Sequence, residues 1–158
     1  MQMRKADREV KDKHEIIKIL NSCSVCRVAF SVENKPYIVT MNFGYLYEDK
    51  LVLYFHCAGE GRKIDMLNAN NFVCFEMDEE LGLIPGDKAC KFSMNYQSII
   101  GDGRISFVSE KDSKLEGLEL IMEHYGGGGL PFDEKILERT TVLKLDVESF
   151  AAKRLMKG

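Results

Sequence analysis

The stretch from Tyr54 to Asp65, YFHCAGEGRKID, gathers the residue types that could do chemistry. An apolar strand-like run ends at His56, Gly59 and Gly61 follow, and Arg62 and Lys63 enter what reads as the first turn of a helix. A helix start leaves about four backbone N–H groups without partners and carries partial positive charge, a setting that suits phosphate. Glycine permits close backbone approach, Arg62 offers a planar fork of donors, and Lys63 a point charge. The same residues also fit a plain reading, two solvated first-turn cations with Glu60 beside them. His56 shares a face with Tyr54 and Val52 by the period of two. It points into either a barrel or a groove, as a satisfied structural residue or as a proton donor.

A second constellation is PYIVTMNFGY, Pro36 to Tyr45. Val39, Thr40, Met41 and Asn42 place polar side chains and backbone groups in an otherwise apolar strand, where a ring bearing carbonyls and imide nitrogens could be read. An edge strand with its polar residues toward water explains them equally well. The third, NYQSIIGDGR, offers Gln97 and Ser98 beside a bend marked by Gly101 and Gly103. Taken alone it reads as a surface strand.

Other motifs are absent: no GxSxG, HExxH, Walker or strand-linked GxGxxG pattern occurs, and GGGG at 126–129 follows no strand. Cys23 and Cys26 form a lone CxxC with no second pair or nearby histidine, so no metal site is expected. The odd count of five cysteines and the lack of an export signal favour reduced thiols and a cytoplasmic address. His14 and His124 fall on polar helical faces and read as solvated. The net charge of −3 comes from 22 basic and 25 acidic residues mixed along the chain, which argues against a nucleic-acid partner. No apolar run is long enough to span a bilayer.

These residues need elements to hold them. Asp12 and Glu15 resemble a capping box before Ile16, Ile17 and Leu20, so a helix is expected to about Asn21. VCRVAFS, PYIVTMNF and KLVLYFH then read as an antiparallel meander with turns at ENK and YED. A short helix follows GEG and stops at NANN, where asparagine tolerates a left-handed exit. FVCFEMD is a strand, LGLIPGDK a loop, and KFSMNYQSIIGDGRISFV a strand pair or one bent strand. Leu115, Leu118, Ile121 and Met122 stripe a helix over Glu110 to Tyr125. GGGGLPF is a loop or lid, and TTVLKLDVES closes the sheet. At 158 residues this makes one domain over 1–158, and six or seven tightly connected strands favour a closed antiparallel barrel.

In this order, PYIVTMNFGY, LYFHCAGEGRKIDML, NNFVCFEMD and YQSIIGDGR resemble the flavin-binding split barrel of the pyridoxamine 5′-phosphate oxidase superfamily, and within it the nitroimidazole-resistance branch. The resemblance implies a mainly β fold, an antiparallel split β-barrel with peripheral α-helices. It implies FMN as cofactor, with Gly61, Arg62 and Lys63 at the phosphate, Val39 to Asn42 along the ring and ribityl chain, and Gln97 or Ser98 from a neighbouring strand. It implies a homodimer with FMN at the interface, and His56 near the flavin as a candidate catalytic residue. The activity implied is that of an FMN-dependent oxidoreductase on a small molecule such as a nitro-aromatic. A flavin- or ligand-binding module without turnover, or a haem-binding relative, remains open. The substrate-phosphate residues and C-terminal signature of the true oxidases are not recognisable, so that reaction is not implied.

Overall fold

The computed structural model describes residues 5–157. A two-residue strand, Glu9–Val10 (β1), precedes the helix Lys13–Ser22 (α1). Asp12 caps that helix by accepting the Glu15 N–H at 3.0 Å, and Ile16, Ile19 and Leu20 are buried. Glu15 does not reach back to complete a capping box. Its carboxylate pairs instead with Lys18 and Arg154.

Cys26–Val32 (β2) and Lys35–Met41 (β3) form the expected hairpin. Glu33 and Asn34 hold φ of 51° and 59° in its turn, the left-handed pair that a tight hairpin requires. The meander then breaks, because β3 pairs with β2 alone. Gly44–Tyr47 (β4), not foreseen as a separate strand, pairs with Leu51–Cys57 (β5) across the predicted YED turn. After the helix Arg62–Ala69 (α2), Asn70 is extended at φ −153°, so the left-handed exit expected at NANN does not form. Its side chain satisfies the turn by binding Ser31 O and Phe72 N–H.

Phe72–Ile84 (β6) and Ser93–Val108 (β7) are long single strands. Residues 81–84, expected in a loop, continue β6 beyond a register shift at Gly82 and pair with the start of β7. The helices Lys111–His124 (α3) and Glu134–Arg139 (α4) precede the last strand, Thr141–Leu155 (β8). The antiparallel sheet runs β3-β2-β6-β7-β8-β5-β4, with β1 added on β8. Among the described residues no pairing joins β3 to β4, so the barrel is split rather than closed by hydrogen bonds.

Alternation along the strands makes two apolar layers. Phe30, Phe43, Phe55, Phe75, Met77 and Ile99 fill the barrel together with Ile19 and Leu20 of α1. Tyr54 and Val142, on the outer face of β5 and β8, pack with Leu118, Ile121 and Leu137 beneath α3 and α4. His124 is not solvated, contrary to its helical pattern. Its Nε2 lies 2.9 Å from the Cys23 carbonyl and its ring stacks on Phe43 at 4.3 Å between centroids. The C-terminus of α3 thus fastens the α1–β2 link, helped by Tyr125, whose hydroxyl donates to Ser24 O. His14 is exposed as expected.

Cys23 and Cys26 are free and buried. Burial pushes the Cys23 thiol up to about 12 and the Cys26 thiol upward as well. Among the described residues no cluster of His, Cys, Asp and Glu could hold a metal ion, and no helix is long and apolar enough to cross a membrane.

Candidate functional site

Strand β3, the end of β5, the start of α2 and the end of α4 surround a cavity of about 570 Å³. Val39, Thr40, Met41 and Asn42 form one wall, His56, Cys57 and Ala58 a second, with Lys63 at the head of α2. Val39 and Met41 face the barrel, while Thr40 and Asn42 are exposed at the rim. The alternation of one strand therefore gives the cavity both an apolar and a polar edge. His56 is exposed, at the edge of the layer that covers Val52 and Tyr54 on the same face, so it points into a groove and not into the barrel.

The head of α2 differs from that of the two helices with carboxylate caps. Asp12 and Asp133 cap α1 and α4, but the residue before α2 is Gly61, with no side chain over the first turn. Gly61 holds φ +107°, a conformation that other residues rarely adopt, and a Cβ there would meet nothing within 4 Å. The Gly61 carbonyl accepts from Ile64 and Asp65, which leaves the earliest amides of the turn open. Ile64, Met66 and Leu67 bury the other face of the helix, and each such side chain contributes roughly 1.5–3 kcal/mol to holding it there.

Charge at the opening is one-sided. Lys63 lines the cavity from α2 and Arg139 lines it from α4, and among the described residues neither makes a salt bridge. Arg62 stands outside the lining with its guanidinium 4.3 Å from the centre of the Tyr37 ring, a stacking contact that leaves its N–H edge free. Among the described residues no carboxylate lines the cavity. Burial pushes the Cys57 thiol up, while the Lys63 ammonium beside it pulls the other way.

The structure thus brings together Val39, Thr40, Met41, Asn42, His56 and Lys63, with Gly61 and Arg62 adjoining them in sequence. It does not bring Gln97 and Ser98 to this cavity within one chain. Gln97 is 6% exposed and fully engaged: its amide nitrogen reaches Ser22 Oγ at 2.8 Å and Glu79 Oε2 at 2.7 Å. Its carbonyl accepts from Arg154 Nε at 2.9 Å. Ser98 faces outward between Asp78 and Lys153 in the register. Sequence reasoning missed Ile136, Arg139 and Thr140, which α4 and its exit deliver to the cavity. The available signal was FDEKILERTT, where Asp133 caps a helix short enough to place Arg139 at its end.

Comparison with known proteins follows the same lines. The chain matches the family model described as pyridoxamine 5′-phosphate oxidase over residues 12–154. The comparison with curated proteins returned no match. A candidate 5-nitroimidazole antibiotic resistance protein from Bacteroides thetaiotaomicron shares 32% identity over 92% of this chain and 86% of its own, with a TM-score of 0.77. The flavocytochrome Anf3 from Azotobacter vinelandii superposes with a TM-score of 0.81 at 21% identity, over 99% of this chain and 73% of that one. An FAD and heme binding protein from Mycobacterium smegmatis reaches 0.81 at 16% identity, over 95% and 74%. The last two likenesses concern the fold alone. With the family model covering nearly all of the chain and the same split barrel underneath, this protein belongs to the pyridoxamine 5′-phosphate oxidase family.

Proposed function

We propose that this chain binds FMN in the cavity between β3, β5, α2 and α4 and acts as an FMN-dependent oxidoreductase on a small neutral molecule. One observation carries the reading: the start of α2 has no side-chain cap, Lys63 from α2 and Arg139 from α4 line the cavity with Arg62 adjoining it on Tyr37, and among the described residues no carboxylate lines the space. Such an arrangement fits a phosphate monoester, and the cavity volume lies within the ~300–1,000 Å³ range of small-molecule sites.

FMN, when bound, supplies the redox chemistry, and the protein supplies binding, orientation and electrostatics. Lys63 and the open amides of α2 hold the phosphate, and Arg62, steadied on Tyr37, adds its fork of donors. Val39 and Met41 would give the bound group an apolar edge, and Thr40 and Asn42 would offer it hydrogen bonds. His56 holds the proton that a reduced substrate takes up, at an imidazole nitrogen directed into the groove. The 32% identity with the Bacteroides protein supports a nitro-aromatic substrate such as a nitroimidazole.

The working form in this reading is a homodimer. Its support is the uncovered outer face of β3-β2-β6-β7-β8, where Ile38 is 64% and Ile100 is 42% exposed with Ala29 and Ala151 beside them in the register. Ser98 lies on that face and Thr40 at its rim, so a partner's β7 would bring Ser98 toward the flavin, while Gln97 faces the other way, into its own subunit's hydrogen-bond cluster. The five free thiols support a reducing cytoplasmic address.

The test is a titration of FMN into wild type and into Arg62→Ala/Lys63→Ala, followed by flavin fluorescence. Losing two charge-assisted contacts is expected to weaken FMN by about 100-fold or more. Equal affinities would remove the phosphate socket from the account. Steady-state reduction of a nitroimidazole with a supplied electron donor then separates an enzyme from a binding module, and a visible spectrum of the purified protein separates flavin from haem.

A further inference from the structure

We infer that a second, apolar chamber beside the FMN cavity holds the ring of a neutral aromatic substrate, with His56 in the wall common to both. The substrate role rests on the flavin reading above; the binding itself does not. The chamber has a volume of about 410 Å³ and lies between α3, the loop after it and α4. Leu118, Ile121, Met122, Phe132, Ile136 and Leu137 make most of its lining.

The chamber is mostly apolar, in contrast to its neighbour. Among the described residues its lining holds no lysine or arginine, and its carboxylate, Asp133, caps α4, with Oδ1 accepting the Lys135 and Ile136 N–H groups at 2.9 and 3.1 Å. An anion would find no counter-charge there, and burying one unpaired is costly. A neutral apolar ring meets no such cost. It would also cover Ile136, which is 66% exposed although it stands in the walls of both cavities.

His56, Ile136 and Thr140 belong to both linings, so a ring seated in the chamber presents one edge to the FMN cavity. At that edge His56 is the side chain placed to donate to an oxygen substituent such as a nitro group, since the Thr140 hydroxyl already donates to the Ile136 carbonyl at 2.8 Å. The loop closes the far side, and Gly127 lies so tightly against the Met122 methyl that a Cβ there would collide with it.

Two methionines report on the two spaces, since Met41 lines the FMN cavity and Met122 the chamber. The experiment titrates nitrobenzene into protein labelled with ¹³C at the methionine methyls, with and without saturating FMN. The chamber predicts a saturable shift at Met122 in both states. Met122→Trp, which fills the space, should weaken nitrobenzene by about tenfold and leave FMN affinity within about twofold. Ile136→Glu, altered at a position that is 66% exposed, should weaken it similarly. A shift confined to Met41, no saturable shift at all, or unchanged nitrobenzene binding in both variants would overturn the inference. Loss of FMN binding with the Met122 shift intact would instead sink the flavin reading and leave the chamber standing.

Discussion

The head of α2 and the Gln97 end of β7 are both rich in polar side chains, and they are wired in opposite ways. Around the head of α2, Arg62, Lys63 and, from α4, Arg139 have no carboxylate partners among the described residues, and the helix start has no side-chain cap. Around Gln97, the carboxamide, Ser22, Glu79, Arg154 and Glu15 satisfy one another in a chain of hydrogen bonds that ties α1 to β6, β7 and β8. Buried polar groups that are fully paired stabilise a fold, whereas exposed like charges without counter-charges are left to solvent or to an anion. Within one subunit the first region is the site proposed for FMN and the second is a fastening.

The two regions should respond to different insults. The largest effect is expected at α2, where Arg62→Ala/Lys63→Ala removes FMN affinity by about 100-fold with little change in stability. FMN binding there should also weaken as salt rises, because its anchoring charges are exposed. Next comes Gln97→Leu, which removes the amide donor from Glu79 and the Nε partner from Arg154, itself still paired with Glu15, and should cost about 2 kcal/mol. For a chain of this size that lowers the thermal midpoint by roughly 4–8 °C, measurable by calorimetry. An unchanged midpoint would mean the cluster fastens nothing. If Gln97 also serves the partner's flavin, its loss would weaken FMN in the dimer, and that result would merge the two regions.

A smaller effect concerns acid. Hydrogen bonds from Arg154 and then Lys18 hold the Glu15 carboxyl well below its usual range, at about 2. A depressed folded value stabilises above the unfolded pKa, so this contribution is present above about 4.5 and is lost as pH falls toward 2. Denaturation midpoints measured across that window should fall with pH, and Arg154→Met should flatten the slope. Least in size is a thiol effect. Cys90 is exposed and lies outside the strands of the proposed dimer face, so it should react with a maleimide at a rate indifferent to flavin, while Cys57, in the cavity proposed for FMN, should be slowed by it. Equal slowing of Cys57 and Cys90 would place the ligand elsewhere.

Much of this was legible because it is local. Two glycines before Arg62 and Lys63, the Asp12 cap and the alternation in β2, β5 and β8 each follow from neighbours in sequence. What was hidden depended on distant partners. The break after β3 was invisible because β2 pairs with β6 across more than forty residues, and no turn residue records that choice. His124 read as solvated since its anchors, the Cys23 carbonyl and Phe43, lie far back in the chain. Gln97 was noticed for its donors, yet only the fold reveals that Ser22, Glu79 and Arg154 already engage them. Arg139 escaped notice because one cation at the end of a six-residue helix carries no pattern of its own.

The measurement that bears most directly on the account is an absorption spectrum of the purified protein, with mass spectrometry of any released ligand and an FMN titration of the ligand-free form. The account predicts a yellow protein that releases FMN and rebinds it with quenched fluorescence, and an Arg62→Ala/Lys63→Ala variant that does neither. A colourless wild type that leaves added FMN fluorescing as in buffer would contradict it.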